Sequence, residues 1–197
     1  VNELLEVNPY WKGLWSRKIE LYELQGNTVE SNRLRKRLSQ IYPKDSKVQE
    51  DYLYNTELQA NALRKQGKID EAISLTSDLL KKQPENPSHY LTLVNDHLKT
   101  GDYYSALAFA ERGLIQFPGN LSLINKKSGI LAEQKRYDEL IPFLQDQMKF
   151  GNRAALQQQY NYYLLEAARS AKDKDPATLY GKIFESSSRE RCIFYSG

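Results

Sequence analysis

Cysteine is nearly absent from this chain: Cys192 is the only one in 197 residues. A single cysteine makes no internal disulfide, so a disulfide framework is excluded. A reducing compartment suits such a chain, and so does a bacterial periplasm if a signal segment has been removed. Histidine is almost as scarce. His89 and His97 are the two present, and they stand eight residues apart. That is about two helical turns, too far for a pair of metal ligands at i, i+4. They read as packing or surface residues, and no metal site is expected. Cys192 has no histidine near it in sequence, whereas a catalytic thiol needs a base and an orienting group. The ten glycines are scattered at turns, so no glycine-rich phosphate cradle exists. No apolar run approaches the roughly 18–20 residues that span a bilayer. Charge of one sign is missing too, with 28 basic against 25 acidic residues and a net charge of +3. So near a balance implies no strong field for nucleic acid. The composition thus points away from catalysis, cofactors, membrane insertion and nucleic acid.

What the chain does have is a period. Gly67 and Gly101, Ala72 and Ala106, and Pro84 and Pro118 are each separated by 34 residues. A fixed period of about 34 residues is the signature of a stacked helix–turn–helix unit. The segment from Lys68 to Pro87 places Ile69, Ala72, Ile73, Leu79 and Leu80 on one helical stripe. Pro84 and Pro87 then stop that helix and set the turn into the next. The following unit repeats the plan. Tyr90, Leu93, Val94 and Leu98 line its first helix, and its second carries Tyr104, Leu107, Ala108, Ala110, Leu114 and Ile115. Small residues at Ala72 and Ala106 suit a helix crossing at roughly 8–10 Å. The intervening Gly suits the positive φ of a helix C-cap. Asp70, Glu71 and Asp102, at second-helix starts, favour the helix dipole and free amides.

This pattern resembles the tetratricopeptide repeat. Leu93, Gly101, Tyr103, Ala106 and Pro118 match it in one unit, and Gly67, Ala72 and Pro84 in the unit before. Outward the match decays. One period beyond Gly101 stands Lys135, with Leu140 in place of the small alanine. The interval from Gly26 to Gly67 is 41, seven more than the period, and reads as a first helix lengthened at its N-terminus. The resemblance implies an all-α fold, a right-handed superhelical solenoid of antiparallel helix pairs. Helices are predicted over 10–25, 28–41, 46–66, 69–82, 87–100, 103–117, 121–134, 137–149, 153–172 and 175–187. Residues 10–188 would form about five helix pairs. Residues 1–9 read as the end of a truncated repeat, and 189–197 as a tail ending in the apolar Ile193, Phe194 and Tyr195.

The same resemblance implies a function through surfaces: a scaffold that binds a protein or peptide in a concave groove lined by first helices. It places Ser16 and Glu20, then Glu57, Asn61 and Arg64, on that face. Leu91, Asn95 and Leu98 follow, then Asn125 and Gly129, then Tyr162, Glu166 and Arg169. Asn61 and Asn95 are one period apart, so they are expected to stack as a short ladder of amides. Each amide both donates and accepts. Arg64 would pair with an acidic side chain of the ligand. The alternative is a structural or regulatory arm of a larger protein, with no peptide capture of its own. The basic run from Arg33 to Arg37 reads as a solvated helix face.

Overall fold

The computed structural model describes residue 8 and residues 10–170. Expectations for residues 1–7, for a helix over 175–187 and for the tail lie outside the described residues. The described residues form α-helices and one short 3-10 turn, with no strand among them. The chain divides into two compact units between Pro84 and Glu85. The first unit holds α1 (Lys12–Leu24), α2 (Thr28–Ile41), α3 (Ser46–Lys65) and α4 (Ile69–Lys82). The second holds α5 (Pro87–Lys99), α6 (Tyr103–Gln116), α7 (Leu121–Glu133), α8 (Tyr137–Gln147), the 3-10 turn Met148–Phe150 and α9 (Arg153–Ser170). In each unit, consecutive helices pack as pairs across three-residue turns, which makes partners antiparallel. The fold is all-α and tetratricopeptide-like.

The turns inside the pairs are one device used four times. At the end of α1 the Gly26 amide donates to the Glu23 carbonyl and the Asn27 amide to Tyr22. The same two bonds close α3 (Gly67 to Arg64, Lys68 to Leu63) and α5 (Gly101 to Leu98, Asp102 to His97). They close α7 as well (Lys135 to Ala132, Arg136 to Leu131). This paired closure needs a left-handed residue after the helix, usually glycine. Gly101 takes it at φ 77°, but at the fourth turn Lys135 holds φ 56° with a side chain attached. An L-residue with a Cβ pays roughly 1–2 kcal/mol there. Lys135→Gly should therefore raise the unfolding free energy by about 1 kcal/mol, read as a higher urea midpoint with an unchanged slope.

Helix starts follow an equally regular chemistry. Asn27, Asp45, Asn86, Asp102 and Asn120 cap α2, α3, α5, α6 and α7 by accepting from a backbone amide two or three residues on. Asp102 performs the capping expected of it, bonding the Ser105 amide at 2.9 Å. Asp70 and Glu71 instead sit in the first turn of α4, where they meet its dipole without capping. The seven extra residues before Gly67 lie in α3, which has 20 residues, against 13 in α5.

In the first unit the core joins Ile19, Leu34, Leu38 and Val48, with Trp15, Tyr22 and Tyr42 packed against it. The basic run at 33–37 is only partly a solvated face. The Arg35 side chain is 8% exposed. It donates to Glu23 on α1 and, at 2.8 Å, to Asp51 on α3. Arg35 lies beside Leu34 on the stripe that faces those helices. Its charge therefore enters the packing and is matched by two carboxylates. Lys36 reaches farther, to Asp78 on α4 at 2.7 Å. That hydrogen bond holds the Asp78 carboxyl below its usual range, with a smaller contribution from Lys81. A depressed carboxylate stabilises the fold above its unfolded pKa, and the stabilisation is lost as pH falls through the folded value. Urea midpoints should therefore fall below about pH 4, and less steeply in Asp78→Asn than in wild type.

In the second unit Val94, Ala106, Ala110 and Ile130 form a core cluster, with Leu98, Tyr103, Leu107 and Phe109 against it. Ala106 is fully buried. Glycine has a steric role at Gly113 in mid-α6. A Cβ there would lie 2.8 Å from Leu123 Cδ1 and 3.1 Å from Tyr90 Cβ. Helices α5, α6 and α7 thus converge on one hydrogen-sized gap. Leu140, which replaces the small alanine in the next pair, is accommodated and fully buried.

Candidate functional site

Of the residues expected on the binding face, Ser16 and Glu20 are exposed on α1, and the others fall into three groups. In the first unit, Glu57 and Asn61 are exposed on α3. Arg64 is not held out for a ligand. It donates to the Asn61 carbonyl oxygen at 2.9 Å and to the Thr76 hydroxyl on α4. Thr76 passes the chain of bonds on to the Ala72 carbonyl at 2.9 Å. A guanidinium one turn from an amide on its own helix, facing a neighbouring helix with a buried hydroxyl, finds internal partners first. Asn61 and Asn95 belong to different units.

In the second unit, Leu91, Asn95 and Leu98 are half-buried on α5. Leu98 packs on the Val94 and Ala106 core. Glu166 and Arg169 on α9 pair with each other at 2.6 Å, one turn apart. Gly129 on α7 faces open space.

Asn125 on α7 and Tyr162 on α9 come together. They line a solvent-open pocket of about 430 Å³ with Ser128, Gln158, Gln159 and Tyr163. The 34-residue period builds it. Gln159 stands one period after Asn125, and its side-chain amide nitrogen donates to the Asn125 carbonyl oxygen at 2.6 Å. Helix α7 is the first helix of its pair and α9 lies one period farther along the chain, so equivalent faces look onto the same space. Asn125 is exposed because it lies opposite Leu123 and Ile124, which are fully buried. On α9, Leu156, Tyr160 and Leu164 are the buried stripe, which turns Gln158, Gln159 and Tyr162 outward.

No charged side chain lines this pocket. Its chemistry is amide, hydroxyl and phenol. Tyr162 is 58% exposed and meets Tyr163 edge-on at 5.1 Å. Burial pushes the Tyr163 hydroxyl above its usual pKa, with smaller contributions from Tyr162 and Tyr137, so it stays a neutral donor at physiological pH. Two oxygens beneath the lining surface, Ser128 Oγ and Gln159 Oε1, are buried without a hydrogen-bond partner. Among the described residues, no group of three or more His, Cys, Asp or Glu side chains is placed to hold a metal ion. No helix among them is long and apolar enough to cross a membrane.

Ser128, Gln158, Gln159 and Tyr163 were not among the expected site residues. Gln159 carried a signal, since adding one period to Asn125 lands on it. Ser128 carried a signal for burial, since it stands one period after the core residue Val94, but none for the lack of a partner at its hydroxyl.

No protein-family model matches the chain, and no curated protein matches it. Solved structures of helical-repeat proteins do resemble it. MamA from Desulfovibrio magneticus RS-1 is 16% identical, with 90% of this chain and 95% of that one covered and a TM-score of 0.46. YrrB, described as a TPR protein with an unusual peptide-binding site, is 12% identical over 93% and 90%, with a TM-score of 0.48. A tetratricopeptide repeat protein from Parabacteroides merdae is 13% identical over 94% and 79%, also at 0.48. Likeness of this degree says nothing of what the chain binds. The helix-pair architecture stands on the caps, turns and packing of the chain itself.

Proposed function

We propose that this protein is an interaction scaffold, and that its second unit holds an extended segment of a partner protein across α7 and α9. The observation that carries this reading is the Asn125–Gln159 pocket. Helices α7 and α9, one period apart, turn amides and an exposed tyrosine onto one open, uncharged space. An extended peptide presents N–H and C=O groups in alternation. Side chains that both donate and accept match it without regard to its charge. Tyr162 adds apolar area with a polar tip, the type of residue enriched at interfaces. Leu91 and Asn95 on α5 extend the surface in this reading. No step of it requires catalysis, a cofactor or nucleic acid.

Selection from a random displayed peptide library on the whole chain tests it. Selected peptides should lose about tenfold in affinity, or 1.4 kcal/mol, against Asn125→Ala/Tyr162→Ala. Both residues are exposed, so the variant should keep its helical circular dichroism. Peptides that bind the variant as tightly as wild type would move the binding surface elsewhere. Recovery of no peptide at all would favour a structural arm of a larger protein.

A further inference from the structure

Resting on that reading, we infer that the α7/α9 pocket is a selectivity site for a neutral primary carboxamide, the side chain of an asparagine or glutamine in the bound segment. Ser128 is 1% exposed and sits in the middle of a helix, yet its hydroxyl meets no acceptor and no donor. A helical serine ordinarily satisfies itself on a carbonyl one turn back, as Ser31 and Ser39 do on Thr28 and Lys36. Gln159 is half satisfied in the same way. Its nitrogen is bonded to Asn125, and its oxygen is buried without a partner. Two oxygens in one small space that both lack hydrogen bonds call for a ligand that brings N–H groups.

Charge narrows the ligand further. The six lining residues include no cation to balance a carboxylate and no anion to balance an ammonium or guanidinium. Placing either ion there would cost desolvation with no compensating partner. A carboxamide is neutral and carries two N–H donors and one carbonyl acceptor. It can give one proton to Gln159 Oε1 and one to Ser128 Oγ, while its carbonyl accepts from the Asn125 amide. If both protein amides turn over together, Gln159 presents N–H instead, and the ligand's carbonyl takes its place. A group that only donates or only accepts lacks that tolerance. Its flat plane also suits the adjoining Tyr162 and Tyr163 rings. The two oxygens are covered by neighbouring atoms. Entry therefore shifts an exposed lining side chain, and Gln158 and Tyr162 are exposed enough to move.

The test is a heteronuclear NMR titration of the whole chain with four capped amino acids, the N-acetyl methylamides of glutamine, asparagine, alanine and glutamate. The glutamine or asparagine compound should shift the amide signals of Ser128 and Gln159. The alanine and glutamate compounds should leave them in place. Ser128→Ala should weaken the response at least tenfold while leaving the thermal midpoint equal to or above wild type, since removing an unpartnered buried hydroxyl frees the fold of its desolvation cost. A fall in the midpoint of Ser128→Ala would show a structural use of the hydroxyl and overturn the inference. Equal shifts from the alanine compound would assign the pocket to backbone groups, overturning carboxamide selectivity while leaving the scaffold reading intact. No shift with any compound would overturn it as well. The scaffold reading then stands or falls separately on the displayed peptides.

Discussion

Leu123→Ala should lower the unfolding free energy by about 2–5 kcal/mol, among the largest losses any single truncation in the second unit can produce. Leu123 is fully buried, and its methyl groups fill the gap left by Gly113 and Tyr90. Truncation forfeits its burial and opens a cavity where three helices meet. The convergence also makes a compensating change available. In wild type, Gly113→Ala would push a Cβ to within 2.8 Å of a Leu123 methyl. In the Leu123→Ala background that methyl is gone, so the new Cβ fills part of the cavity. Alanine also brings about 1 kcal/mol of helix propensity over glycine. The double variant should therefore be more stable than Leu123→Ala alone, and a urea double-mutant cycle should show coupling above about 0.5 kcal/mol. Strict additivity would mean that α6 and α7 do not touch at this point.

Ala106→Leu should cost about 1–3 kcal/mol for the opposite reason. Ala106 is buried among Val94, Ala110 and Ile130. The added carbons have no void to enter and must push α6 away from its neighbours. The urea midpoint should fall, and the signals of Leu98 and Phe109, which pack on the same cluster, should shift in the NMR spectrum. An unchanged midpoint would contradict the packing of α6 described here.

The regular part of this molecule was legible from its turns. Gly67, Gly101, Pro84 and Pro118 mark helix ends because backbone conformation demands those residue types, and such demands are local. The paired closure at Lys135 was foreseeable only by counting, since lysine advertises no left-handed φ. The α8 end was less legible still. A helix expected to 149 tightens into the 3-10 turn Met148–Phe150 before Gly151, at φ 116°. Of the residues lining the α7/α9 pocket, Asn125 and Tyr162 are also expected from the sequence on the binding face. Asn125 follows from the period, since it stands 34 residues after Leu91 and the same helix face recurs one repeat later, whereas Tyr162 rests on the family resemblance. Arg64 illustrates what a period cannot convey. Its fate depends on Thr76 across the pair, and a hydrogen-bond partner on another helix leaves no trace in local spacing. The absence of a partner for Ser128 is equally invisible in a linear string.

The lengthened α3 has a consequence for how this chain can vary. Seven residues advance a helix by nearly two whole turns and rotate it by only about 20°. The buried positions Val48, Tyr52, Thr56 and Ala60 can therefore run along one side through both the added and the original segment. A gain of five residues would swing everything upstream by about 140°, at 100° per residue, and point Val48 into water. Length changes inside such helices are thus quantised: seven residues, or a number near a whole count of turns, can be added or lost without unseating the partner helix. Between the helices, in the capped turns, any single-residue change would disturb a hydrogen-bonded closure instead. The places where this chain can grow are set by rotational phase rather than by exposure.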